Sequence, residues 1–124
     1  MLVAVPTGPL EKHLTLHTHP IVVLYRWRLH PGKEESFTQA WSRVTELLRA
    51  QRGSLGSRLH RGPDGIWYGY AQWPSVEVRN AAFSAPAVDE HATEQMRDAV
   101  AERFPDLVLE PIADFLVPFT DPKA

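Results

Sequence analysis

Residues 66–73 read IWYGYAQW and run straight into Pro74 and Ser75. In an extended chain successive side chains alternate, so Ile66, Tyr68, Tyr70 and Gln72 share one face, and Trp67, Gly69, Ala71 and Trp73 share the other. Both faces carry aromatic rings and neither carries a charge. A sheet covered by helices on one side would leave one of these sets in water, and an apolar patch of that size marks an interface or a ligand site.

Working outward, GPDG at 62–65 places Pro63 second and Gly65 fourth in a type I turn, and SLGSRLHR at 54–61 supplies the partner strand of a hairpin. Upstream, IVVLYRWRL at 21–29 has Ile21, Val23, Tyr25, Trp27 and Leu29 on one face, with Val22, Leu24, Arg26 and Arg28 on the other. HPGKEE breaks this strand, and Glu34 and Glu35 suit the positive end of a helix dipole. Phe37, Ala40, Trp41, Val44, Leu47 and Leu48 then recur at helical spacing, and Gly53 provides the left-handed stop. After the hairpin, PSVEVRNAAFS and PAVDEHATEQMRDAVAERF predict a helical region interrupted before Pro86. Val76, Asn80 and Phe83 fall on one stripe of it, and Val88, Ala92, Met96 and Val100 on the next. A last strand is expected over Leu107–Val117, with Pro111 placing it at an edge or a bulge. The order is βαββαβ: an α+β, ferredoxin-like unit with a four-stranded antiparallel sheet and helices on one face.

The bulk numbers agree with one such domain. The chain has 124 residues, 44% hydrophobic and 23% charged, near the globular average. A net charge of −2 with no Lys/Arg block longer than a pair argues against a nucleic-acid partner. The absence of Cys excludes disulfides, thiolate catalysis and Cys-ligated metals and fits a reducing cytoplasm. No apolar run approaches a bilayer span, so no membrane partner is expected. Residues 1–19 read as an N-terminal arm, 20–119 as the domain and 120–124 as a short tail.

The stretches LHPGKEESFTQAWSRV, GSLGSRLHR and YAQWPSVEVRNAAF resemble the antibiotic biosynthesis monooxygenase family of the dimeric α+β barrel superfamily, over Pro20 to Phe119. The resemblance implies a homodimer packed sheet against sheet, with a cavity between each subunit's helices and sheet. It also implies oxygenation of a small aromatic or quinol-type molecule with no cofactor and no metal. Such chemistry needs an electron-rich substrate, a dry aromatic pocket and a partner for the substrate's hydroxyl. The expected catalytic residues are His60 as base, Arg58 to hold the anion, and Tyr70. Trp27, Trp67, Tyr68, Trp73, Phe83 and His91 are the expected substrate contacts. Each has a structural alternative: core for Trp73, the dimer seam for the tyrosines, a solvated strand position for His60.

Two further readings carry specific residues. His91 resembles the haem ligand of the haem-degrading branch, but that branch's strand Asn falls near Tyr25 and its helix Trp near Ala82 or Phe83. His13, His17 and His19 alternate along HLTLHTH and could share a metal, although no acidic residue completes the set. A dimeric binding protein without chemistry is the alternative to the enzyme. GSLGS is no phosphate loop, and WSRV and AFSAP make no nucleophile elbow.

Overall fold

The computed structural model describes residues 20–117, and the arm histidines His13, His17 and His19 lie outside them. The elements are β1 (Ile21–Leu29), α1 (Glu34–Gln51), β2 (Gly56–Arg61), β3 (Trp67–Trp73), α2 (Val76–Ser84), α3 (Glu90–Ala99) and β4 (Val100–Leu109). The four strands form one antiparallel sheet in the order β2-β3-β1-β4, the ferredoxin-like arrangement.

Local chemistry sets the element ends. His30-Pro31-Gly32-Lys33 closes with Lys33 N–H on His30 O at 3.1 Å and Gly32 at φ +84°, and α1 begins directly after. At its far end Gly53, also at φ +84°, turns the chain so that Ser54 N–H returns to Leu48 O. Ser75 and Asp89 cap α2 and α3, accepting from Val78 N–H and Ala92 N–H. The hairpin turn at 62–65 forms as expected, with Gly62 N–H on Ile66 O at 2.8 Å and Gly65 N–H on Gly62 O at 3.1 Å.

The faces of the sheet are sharply unlike. Val23, Tyr25, Trp27, Ala71 and Trp73 point toward the helices and join Phe37, Ala82 and Ala99 in the core. Val23, Phe37 and Trp73 are the largest fully buried side chains. Leu24, Tyr68 and Tyr70 lie on the other, helix-free face.

Two expectations are corrected. The last strand starts at Val100 and ends at Leu109, about seven residues earlier than Leu107–Val117, so α3 stops at Ala99. Val100 sits four residues after Met96 and reads as helix, but His30 N–H bonds Ala99 O and Val100 pairs with Leu29, which draws the chain into the sheet. The proline inside the strand is Pro105, not Pro111. It coincides with a register shift between the Leu24 and Arg26 pairings, where a residue without N–H is tolerated. On α2 Val78 and Ala82 pack against the core and Phe83 turns its ring onto Tyr25 and Trp73 while staying 50% exposed, whereas Val76, 40% exposed, and Asn80 point outward.

Candidate functional site

A cavity of about 660 Å³ lies between the helix layer and the sheet. Its floor is made of small residues on adjacent strands, Ser57, Gly69 and Ala71. Gly69 is required here by close approach: a Cβ at this position would stand 3.0 Å from the Trp27 ring and 3.6 Å from Trp41 Nε1. The absence of a side chain lets the indole lie across the sheet and leaves the space above it open. Tyr25, Trp27, Trp73 and Phe83 form the aromatic wall, and α1 and α3 close the roof with Trp41, Val44, Leu48 and Met96. The rings brace one another, Tyr25 stacked on Trp27 at 6.1 Å and Phe83 edge-on to both Tyr25 and Trp73.

Polar groups enter from one end. Arg79 of α2 lays its guanidinium over the rings of Tyr25 and Phe83, at 5.6 and 5.1 Å. Its Nε–H donates to Tyr25 Oη at 3.4 Å, and its Nη2 meets Asp106 Oδ2 at 2.6 Å. Asp106 also receives Arg103 Nη2, at 3.1 Å. Burial pushes the Tyr25 phenol above its ordinary value against the opposing pull of Arg79, so the hydroxyl keeps its proton at neutral pH. Arg52 spans the rim, donating to Ala82 O and Pro86 O and thereby fixing the α2–α3 connection. Arg43 pairs with Asp89 and Gln95 donates to Ser36, which tie α3 to α1.

The residues expected to form one pocket are divided by the sheet. Trp27, Trp73 and Phe83 line the cavity. Trp67 is on the same side but beyond it, packed edge-on against Phe37 with Arg61 over its ring. Tyr68, Tyr70, Arg58 and His60 face the opposite way, Arg58 paired across from Tyr70 and His60 from Tyr68. The alternation that makes them neighbours of one another removes them from the cavity. Tyr68 donates to Asp64 at 2.7 Å, while Arg58 and His60 are exposed. His91 is exposed in the first turn of α3, outside the cavity lining. Arg26 and Arg28 have partners on β4. Arg26 donates to Pro105 O and Arg28 pairs with Glu102.

Sequence reasoning did not single out Arg79 and Asp106. Arg79 lies one turn before Phe83 on the inward side of α2, a spacing obscured by the more conspicuous Val76. Asp106 falls just before the strand expected over Leu107–Val117, a position to which the sequence assigns no face of the sheet. Among the described residues no group of three or more His, Asp or Glu could hold a metal ion, and no helix is long and apolar enough to cross a membrane.

The family model for antibiotic biosynthesis monooxygenases matches residues 20–102, the span that builds β1 to β3, the three helices and nearly all of the cavity lining and ends inside β4. The chain belongs to that family. Solved structures of antibiotic biosynthesis monooxygenase fold agree. SnoaB, a cofactor-independent oxygenase from Streptomyces nogalater, superposes with a TM-score of 0.66 at 14% identity, covering 78% of this chain and 97% of that one. A protein of the same family from Caulobacter crescentus gives 0.65 at 17% identity, covering 82% and 99%. A conserved protein of Methanosarcina mazei gives 0.63 at 9% identity, covering 76% and 94%. At such identities the likeness is one of fold. No curated protein matches the chain.

Proposed function

We propose that this antibiotic biosynthesis monooxygenase family member is a cofactor-independent oxygenase that oxidises a small hydroxyaromatic or quinol-type molecule in the cavity between sheet and helices, and that it works as a homodimer. The observation that carries the reading is the cavity itself: an aromatic wall over a floor of Ser57, Gly69 and Ala71, with space for a flat molecule of a few rings. Membership of the family and the likeness to SnoaB support it. The protein's part is to hold the ring, to exclude bulk water and to favour the substrate oxyanion that can reduce oxygen directly. One oxygen atom enters the substrate as a carbonyl; the other leaves as water with two substrate hydrogens, so no external reductant is consumed.

Trp27, Trp73 and Phe83 are the proposed ring contacts, joined by Tyr25 and Trp41. His60, Arg58, Tyr68 and Tyr70 belong instead to the helix-free face and are assigned to the contact with the second subunit.

A second reading, a dimeric binding protein without chemistry, is favoured by one feature. Among the described residues Glu102 is the sole carboxylate in the cavity lining, and it is paired with Arg28. Among the described residues the lining includes no histidine, so they offer no evident base. Oxygen uptake with a panel of quinols and polyphenols separates the two readings. Oxygen consumption with quenching of the cavity tryptophans supports the oxygenase; quenching without consumption leaves a binder.

A further inference from the structure

Tyr25 has an unspent hydrogen-bond donor. Its hydroxyl oxygen accepts the Nε–H of Arg79 at 3.4 Å, and a second N–H, Trp73 Nε1, lies near it. That second approach is too loose to be a full hydrogen bond, and Trp73 Nε1 has no other partner although it is buried. The Arg79 N–H is donated to the oxygen and has no lone pair to accept with, so the phenol's own proton points away from Arg79 and is left to be donated elsewhere. No described residue accepts it, and Tyr25 lines the cavity while being 9% exposed. A buried donor without an acceptor is costly unless something supplies one.

The charge beside it has a definite sign. Arg79 and Arg103 share the single carboxylate of Asp106, two cations to one anion. Of these three only Arg103 lines the cavity; Arg79 and Asp106 stand behind Tyr25 and Phe83. The remaining charged groups in the lining are Arg52, occupied by two carbonyls, Arg97, paired with Glu94, and Glu102, paired with Arg28. The Tyr25 end of the cavity therefore carries an excess of one positive charge, and Tyr25 offers a proton there.

We propose that Tyr25 donates a hydrogen bond to the aryl oxyanion of the cavity ligand, and that Trp73 and the Arg79–Asp106 pair act as positioning residues that turn its proton into the cavity. This deepens the proposed function, resting on the same cavity: the ligand class is a hydroxyaromatic bound as its phenolate. Tyr25 is a donor and not the base. The substrate proton leaves to water through the open side of the cavity, and the site stabilises what remains.

Alizarin, a hydroxyanthraquinone whose colour reports its ionisation and which is already at the quinone level, is the probe. Titrated by absorbance with the full-length protein, bound alizarin is expected to ionise at lower pH than the free dye. Tyr25→Phe, which keeps the ring stack with Trp27, is expected to bind the neutral dye as before and the anion about tenfold more weakly or worse. Arg79→Lys, which keeps the charge and loses the planar fork, is expected to give an intermediate shift with an unchanged circular dichroism spectrum. An ionisation midpoint unchanged in Tyr25→Phe, or no bound dye in the wild-type protein, overturns the proposal. Because the dye is not consumed, the outcome is separable from oxygen chemistry. A Tyr25-dependent shift without oxygen uptake on quinols keeps this inference and removes the oxygenase; uptake that is indifferent to Tyr25→Phe does the reverse.

Discussion

Arg79 Nη2 and Asp106 Oδ2 stand 2.6 Å apart with both side chains 18% exposed, joining the middle of α2 to β4 beside the cavity. Removing one partner leaves the other's charge poorly solvated. Asp106→Asn is therefore expected to lower stability by roughly 1.5–3 kcal/mol, the range for hydrogen bonds to charged groups. Urea denaturation with an unchanged slope is the measurement. A variant as stable as the wild type would show that the pair contributes no net stability.

The floor of the cavity makes an opposite demand, for absence of bulk. Gly69→Val would place methyl groups inside the Trp27 ring, whose nearest atoms lie 3.0 and 3.1 Å from a Cβ alone. The indole must swing into the cavity or the strand must shift, at a cost of about 1–3 kcal/mol. Ligand quenching of tryptophan fluorescence is expected to fall sharply, while Gly69→Ala weakens it less. Quenching that survives in Gly69→Val would mean that ligands sit elsewhere.

How much of this was legible beforehand divides along physical lines. Strand and helix identities follow from periodicity within ten residues, and Tyr25, Trp27, Gly69 and Trp73 fall on one face by counting alone. The grouping of His60 and Arg58 with Trp67 and Trp73 failed for the same reason: it crossed the alternation that the hairpin enforces. The helix-to-strand switch at Ala99–Val100 carries no Gly or Pro signal, because a long-range pairing with Leu29 decides it. Arg79 is defined by its bond to Asp106, 27 residues away in the chain, a tertiary contact to which sequence spacing is blind.

His60 follows from that correction. It is exposed on the helix-free face, with Nδ1 3.4 Å from Tyr68 O, and the full thickness of the sheet separates it from the cavity. His60→Ala is expected to leave oxygen uptake or ligand quenching within about twofold of the wild type. A loss of 10²-fold or more, the scale of a missing general base, would restore it to the reaction.

Acid stability reports on Asp89. Its carboxylate accepts from Ala92 N–H and then from Arg43, and these contacts hold it below the ordinary value of 3.8. A depressed carboxylate contributes stability that is complete above its unfolded value and disappears as the pH falls through the folded one. The gap between the urea midpoints of wild type and Asp89→Ala should therefore be full near neutral pH and begin to close only as the pH falls below about 4. A gap that persists unchanged at pH 2 would assign the effect to helix propensity rather than charge.

The helix-free face of the sheet argues for a second subunit. Leu24, Tyr68 and Tyr70 lie there half-buried, and Leu107 and Leu109 of β4 remain 42% and 45% exposed. Arg26 and Arg28, which share that face, lay their guanidinium groups over the Phe104 ring at 5.8 and 5.9 Å, so their charge is directed along the sheet edge rather than outward from its centre. Burying the remaining apolar surface of each leucine would contribute about 1 kcal/mol, and a sheet-to-sheet contact gathers many such terms at once. Light scattering at micromolar concentration is expected to give twice the mass of one chain. Tyr70→Glu, which sets a carboxylate near the middle of the contact, is expected to halve that mass and to lower the thermal midpoint through lost association. A wild-type monomer under these conditions would overturn the arrangement, and would leave the two tyrosines of IWYGYAQW as surface residues whose rings are only half covered.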